Sequence, residues 1–227
     1  MVPERSRRAA RVLPRLPTLR QLPLAGPAQR LAGRSTDVTR AWSPAALLVV
    51  ALAGGAIVAF SFWAFAPRMA VASCLLAWTM LAVAVIDARH FIVPDALSLP
   101  AIPAGLLASG YLLDPSHSGL VDINNVFGAA AGGVSLWCVR ALYFAVRGRE
   151  GLGLGDVKLA AAAGAWTGWQ GLSPVLLLAA ALALSLIVAL TVLRREPLSG
   201  TTKIPFGAFL APSVWVVWAL DAYARGL

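Results

Sequence analysis

Seven apolar stretches constrain the fold of this chain more than any other feature of its sequence. A helix needs roughly 20 mostly apolar residues to cross the hydrocarbon core of a bilayer. The chain is 59% hydrophobic and only 13% charged, which is too little charge for the surface of a soluble domain of 227 residues. We therefore predict an all-α, polytopic transmembrane helix bundle of about six to seven spans. The candidate spans are residues 44–66, 69–86, 96–113, 126–146, 158–168, 172–193 and 205–223, of which the fifth is short and rich in glycine.

The basic residues predict how these spans cross the membrane. Nine of the nineteen Lys and Arg residues precede Ala41. A threading with the N-terminus in the cytoplasm places most of the others in cytoplasmic loops, in agreement with the positive-inside rule. Arg68 and Arg225 fall on the outer side, and Arg140 lies within the fourth span. We predict a basic, partly disordered cytoplasmic arm over residues 1–41 and a transmembrane domain over residues 42–227. We expect no nucleic-acid partner, because no basic folded face with aromatic residues is visible.

Two acidic residues stand at the ends of apolar spans. Asp87 ends the second span, and Asp156 follows alternating glycines and begins the fifth. The threading places both at the cytoplasmic face. An acid within a membrane span is energetically costly, so it is interpreted as functional by default. Two carboxylates that share one water molecule are the groups that an aspartic protease requires. The structural alternatives are an interfacial Asp87 paired with a nearby arginine and an Asp156 that only caps a helix.

Other polar and small residues have simpler interpretations. Asp95 follows Pro94 and is expected to be a helix N-cap, and Lys158 is expected to meet head groups or another acid rather than hold Asp156. Two small-residue spacings, Gly128-x-x-x-Gly132 and Gly164-x-x-x-Gly168, are typical of close helix packing. The cysteines and histidines suggest neither a disulfide nor a metal site, and we expect no cofactor; these residues are Cys74, Cys138, His90 and His117.

Three stretches together resemble the type IV prepilin peptidases, which are membrane aspartic proteases of the Gly-x-Gly-Asp class. The first runs from Ile86-Asp87 to Val93-Pro94-Asp95. The second runs from Glu150 through Gly153-Leu-Gly155-Asp156-Val-Lys158 to Trp169, and the third is Ile204-Pro205-Phe206-Gly207. All three occur in the order that the family shows. The resemblance covers the chain from about Cys74 to Trp218.

The resemblance implies a function and a set of site residues. It implies that Asp87 and Asp156 are the catalytic pair, supported by Gly153, Gly155, Lys158, Pro205, Phe206 and Gly207. Such an enzyme removes the basic leader peptide from prepilins or pilin-like pseudopilins at the cytoplasmic face of the bacterial inner membrane. Long members also methylate the new N-terminus and carry paired Cys-x-x-Cys motifs. No cysteine precedes Cys74 here, so we expect no N-methyltransferase activity.

Two other classes of function are kept as alternatives. A proton-coupled transporter also uses broken helices and intramembrane acids, but it would place those acids near the middle of the bilayer. A non-enzymatic membrane scaffold would tolerate the loss of either aspartate.

Overall fold

Six α-helices make up the regular structure of the described part of the chain. The computed structural model describes residues 43–112, 121–194 and 205–226, and no strand occurs within these ranges. The all-α prediction is confirmed. The predicted arm, residues 1–41, lies outside the described residues, and its boundary stays a prediction. The helices are α1 (Pro44–Ala64), α2 (Pro67–His90), α3 (Asp95–Leu112), α4 (Ile123–Arg147), α5 (Leu154–Arg194) and α6 (Gly207–Ala224).

Five of these six helices are long and apolar enough to cross a membrane. The exception is α3, which has 18 residues and contains Pro100 and Pro103. The third predicted span is therefore a helix in the predicted place, but it is not among the helices that are long and apolar enough to span a membrane. A chain with five such helices is a multi-pass membrane protein.

The long helix α5 consists of two helical segments that meet at Gly168. This glycine has φ 68° and ψ −178°, a conformation outside the helical region. A methyl group on Gly132 of α4 would touch both Ala160 and Leu172, which stand on either side of the break. Residues 160 and 172 of an uninterrupted helix would be about 18 Å apart. The chain therefore folds back at Gly168, at the boundary that the sequence predicted between its fifth and sixth spans.

The core centres on α6, which packs against both α2 and α5, and α5 also contacts α3 and α4. Small residues of α5, such as Ala160 and Ala163, are fully buried, and Ala160 lies against Gly132 of α4. Glycines also allow α4 to pack closely against the first segment of α5. A methyl group on Gly128 would lie 2.5 Å from the carbonyl oxygen of Gly164. The prediction that these small-residue spacings serve helix packing is confirmed.

Candidate active site

Asp87 is a buried carboxylate near the C-terminal end of α2. Its exposed fraction is 4%. The helix ends shortly afterwards because Phe91 adopts a left-handed conformation, with φ 54°, and its N–H donates to the carbonyl oxygen of Asp87. Pro94 follows and cannot continue the same helix. The aspartate therefore stands in the last turn before the chain leaves α2.

The first turn of α6 meets the Asp87 carboxylate. The backbone N–H of Ala208 donates a hydrogen bond of 2.8 Å to Oδ2 of Asp87. The free amide groups and the dipole at a helix N-terminus favour a negative charge placed there. Pro205 and Phe206 lead into this turn, and Gly207 is its first helical residue. The N-terminus of α6, which follows the Pro-Phe stretch, thus lies beside Asp87, one of the two predicted catalytic acids.

The second acid, Asp156, lies in the first turn of α5 and is 8% exposed. The position of Gly207 shows how close the two acids are. A methyl group on this glycine would lie 2.9 Å from Oδ2 of Asp87 and 3.1 Å from Oδ1 of Asp156. The two oxygens can therefore be no farther apart than the sum of these distances. Two carboxylates that face one point can hold a water molecule and can act on it as general base and general acid.

The connection between α2 and α3 closes one side of this pair. Val93 is buried, and its side chain lies against both Gly207 and Gly155. A methyl group on Gly155 would come within 2.6 Å of Cβ of Val93. By contrast, a methyl group on Gly153 would meet Oδ2 of Asp156 at 3.4 Å, an ordinary contact. Of the two glycines in the Gly-x-Gly-Asp stretch, Gly155 is the one that a side chain cannot replace without movement.

Lys158 does not contact either of the paired acids through a described hydrogen bond. Its Nζ lies 2.7 Å from Oδ1 of Asp95, and both side chains are partly exposed to solvent. The expectation that Lys158 meets another acid is confirmed. The expectation that Asp95 is an N-cap is wrong by one position, because Ser98 N–H bonds to the Pro94 carbonyl and α3 begins at Asp95. The carboxylate of Asp95 links α3 to α5 instead.

Two partners of the acids were missed by sequence reasoning. Ala208 donates through its backbone N–H, so the identity of its side chain does not indicate the contact. Val93 is an ordinary apolar residue, and only its place before Pro94 sets it apart. The six predicted support residues lie in the glycine-rich segment, in α5 or at the start of α6; of these, Gly207 stands between the two acids.

The described residues offer no alternative metal centre, and a cavity elsewhere in the bundle is separate from the two acids. Within residues 43–112, 121–194 and 205–226, no three His, Cys, Asp or Glu residues lie close enough to hold a metal ion. A cavity of about 380 Å³ is lined by residues such as Asn125, Trp218 and Asp221. It lies at the opposite ends of α3 and α6 from the two acids. The paired carboxylates are thus the candidate site, and this cavity is not part of it.

Comparisons with known proteins point to one family. The model of the type IV leader peptidase family matches residues 74–189. A protein of Pseudomonas aeruginosa named prepilin leader peptidase/N-methyltransferase is 38% identical over 169 residues, which are 74% of this chain and 56% of that protein. A protein of the same name from Aeromonas hydrophila is 40% identical over 147 residues, 64% of this chain and 48% of that protein. The chain spans about half the length of these relatives. No solved structure matches it.

Proposed function

The chain belongs to the type IV leader peptidase family, and we propose that it is a membrane-embedded aspartic endopeptidase. Its proposed substrates are prepilins or pilin-like pseudopilins, from which it removes the basic leader peptide. The relatives' name, prepilin leader peptidase/N-methyltransferase, supports this choice of substrate. The N-methyltransferase activity in that name belongs to those proteins. For this chain we propose the peptidase reaction alone.

One observation carries the proposal. Asp87 and Asp156 come from helices far apart in sequence, and both direct a carboxylate oxygen at the position of Gly207. Both residues are buried, although each lies within one turn of a helix end. A water molecule between two such carboxylates is the reagent that an aspartic protease needs. The missing side chain of Gly207 leaves the space between them open.

The proposed reaction uses the pair as one unit. Two carboxylates this close cannot both be ionised cheaply, so the pair shares one proton. The ionised member takes a proton from water, and the water oxygen attacks the scissile carbonyl carbon. The protonated member gives its proton to the carbonyl oxygen. When the C–N bond breaks, the amine leaves with the proton taken from water, the carbonyl oxygen returns its proton, and the pair again holds one proton.

Asp87 is the better placed of the two to carry the negative charge. It accepts the hydrogen bond from Ala208 and lies at the N-terminus of α6, where a helix favours an anion. We assign the shared proton to Asp156, which is next to this charge. The helix N-terminus is fixed before the substrate arrives, so the charge needs no reorganisation of the protein during the reaction.

The proposed location of the site is the cytoplasmic face of the inner membrane. The end of α2 and the starts of α3, α5 and α6 carry the residues of the site. Arg89, Arg147 and Arg149 lie in or beside the same ends of the bundle, and basic residues favour the cytoplasmic side. A basic leader would then stay in the cytoplasm while the apolar segment of the substrate lies in the bilayer. The scissile bond would be at the interface, where both acids are.

The test is leader removal from a co-expressed prepilin by the full chain and by Asp87→Asn and Asp156→Asn. An asparagine oxygen can still accept the hydrogen bond from Ala208, so Asp87→Asn is expected to fold and insert. We expect wild type to cleave and neither variant to do so. Asp221→Asn is the matched control, because Asp221 lies near the far end of α6 and pairs with Arg225. Cleavage that survives either active-site substitution contradicts the proposed pair.

A scaffold or transporter would behave differently in the same experiment. A scaffold would show no cleavage in any variant. A transporter would also show no cleavage, and its acids would lie near the middle of the bilayer rather than at the ends of the helices. No described feature favours either alternative.

A further inference from the structure

Arg140 is a charged residue inside a membrane-spanning helix, and the proposed reaction does not use it. It lies in α4, and its side chain is 21% exposed. An arginine within a span is costly, and such residues are almost always paired and directed toward the protein interior. Its partners therefore indicate what it is for.

Both contacts of the Arg140 guanidinium go to the segment between α4 and α5. One terminal nitrogen pairs with the carboxylate of Glu150, and Nε donates a hydrogen bond of 3.0 Å to the carbonyl oxygen of Leu152. An arginine suits this task because its planar group presents several donors in fixed directions. The two contacts bracket Gly151. The guanidinium thus holds the backbone on both sides of a glycine.

Tyr143 holds the residue between these two contacts. It follows Arg140 by three positions, so both side chains lie on one face of α4. A methyl group on Gly151 would come within 2.5 Å of the Tyr143 ring, which shows how closely the ring covers this glycine. One face of α4 therefore contacts three consecutive residues, Glu150, Gly151 and Leu152.

Residues 150–155, which we call the glycine loop, comprise the end of the α4–α5 connection and the first two residues of α5, and they lead directly to Asp156. Three of its six residues are glycine, and glycine loses more conformational freedom on ordering than any other residue. Such a loop needs external contacts to hold one conformation. The two hydrogen bonds from Arg140 of α4, to Glu150 and to Leu152, are polar contacts of this kind.

We propose that Arg140 is a positioning residue, which orders the glycine loop and thereby places Asp156 beside Asp87. The inference rests on the proposed function for its effect on catalysis, but the ordering of the loop can be tested without activity. The bond to the Leu152 carbonyl is the more important contact. The Glu150 side chain is 68% exposed, and exposed ion pairs contribute little.

The experiment compares the full-length protein in detergent micelles with Arg140→Gln, Arg140→Lys, Glu150→Gln and the control Arg147→Gln. Arg147 lies in the last turn of the same helix and is exposed. Hydrogen exchange of the amides in residues 151–155 reports on loop order. We expect Arg140→Gln to exchange about tenfold faster or more at these amides, Glu150→Gln to change less, and Arg147→Gln to match wild type.

Kinetics on a prepilin substrate give the second readout. For Arg140→Gln we expect kcat to fall by about 100-fold with KM little changed, because a misplaced catalytic group slows the chemical step. Arg140→Lys keeps the positive charge but lacks the planar guanidinium with its several donors. Compared with Arg140→Gln, it should retain more of the loop order and more of kcat. If Arg140→Gln fails to insert, Arg140→Lys carries the same comparison in milder form.

The outcomes separate this inference from the proposed function. Loop exchange equal to wild type in inserted Arg140 variants overturns the positioning role, whatever the activity is. Faster exchange with an unchanged kcat shows that loop order does not place Asp156, which also overturns it. If the wild-type chain cleaves no prepilin, the proposed function fails, while faster loop exchange in Arg140→Gln still supports the ordering of the loop by this residue.

Discussion

The backbone amide of Ala208 donates a 2.8 Å hydrogen bond to Asp87, across a separation of 121 residues in the chain. This bond joins the end of α2 to the start of α6. It also fixes Gly207, the neighbour of Ala208, between Asp87 and Asp156. The third motif of the sequence therefore completes the site by its backbone, and its glycine keeps open the space in which the proposed water would lie.

Gly207→Ala is expected to abolish cleavage while the protein still inserts. The new methyl group would stand 2.9 Å from Oδ2 of Asp87 and 3.1 Å from Oδ1 of Asp156, in the place proposed for the attacking water. We expect a loss of about 100-fold or more in kcat/KM, measured as leader removal over time. Gly55→Ala is the matched control, since a methyl group there meets no atom within 4 Å. Activity of Gly207→Ala close to that of the control would show that this space is not used.

The two glycines before Asp156 are expected to differ in tolerance. Gly155→Ala brings a methyl group within 2.6 Å of Cβ of Val93, whereas Gly153→Ala makes only an ordinary contact. Neither glycine has positive φ, so backbone strain does not separate them. We expect Gly155→Ala to lose most of its cleavage activity and Gly153→Ala to retain more, because Val93 borders the site.

A second substitution tests the physical reason for this difference. Val93→Gly removes the Cβ that the new methyl group would meet. We expect the double variant Gly155→Ala/Val93→Gly to cleave better than Gly155→Ala alone. A double variant no better than the single one would mean that the contact with Val93 is not the cause of the loss.

Lys158 and Asp95 are expected to contribute through each other rather than through the proposed catalytic pair. Their charged atoms are 2.7 Å apart, and their side chains are 33% and 59% exposed. Pairs this exposed are worth about 1 kcal/mol or less, so Lys158→Gln and Asp95→Asn should each lower cleavage by less than about fivefold. The charge swap Lys158→Asp/Asp95→Lys should restore part of any loss. A large loss in Lys158→Gln that the swap does not repair would place Lys158 in contact with substrate.

The sequence predicts that Asp87 and Asp156 lie at the same membrane face, because each stands at the end of an apolar run, and the resemblance to the prepilin peptidases selects these two as the pair. Gly168 also marked the place where α5 folds back. The contacts of Ala208 and Arg140 could not be predicted in this way. Ala208 acts through a backbone amide that every residue but proline possesses, and Arg140 contacts a loop whose conformation depends on glycine dihedrals. Asp95 was assigned as a cap on local pattern alone, and a tertiary partner, Lys158, determines its role instead.

Gly164→Ala is expected to destabilise the bundle, although alanine is normally the better residue in a helix. The new methyl group would overlap the backbone of Gly128 in α4, and backbone atoms cannot rotate away as a side chain can. Overpacking of this kind costs about 1–3 kcal/mol in free energy of unfolding, which an unfolding titration in mixed micelles would measure. Gly133→Ala is the control, since its methyl group would lie 3.5 Å from Cβ of Ala161. Because α4 also carries Arg140, separation of α4 from α5 should lower cleavage together with stability, and equal stability of the two variants would contradict the close α4–α5 approach.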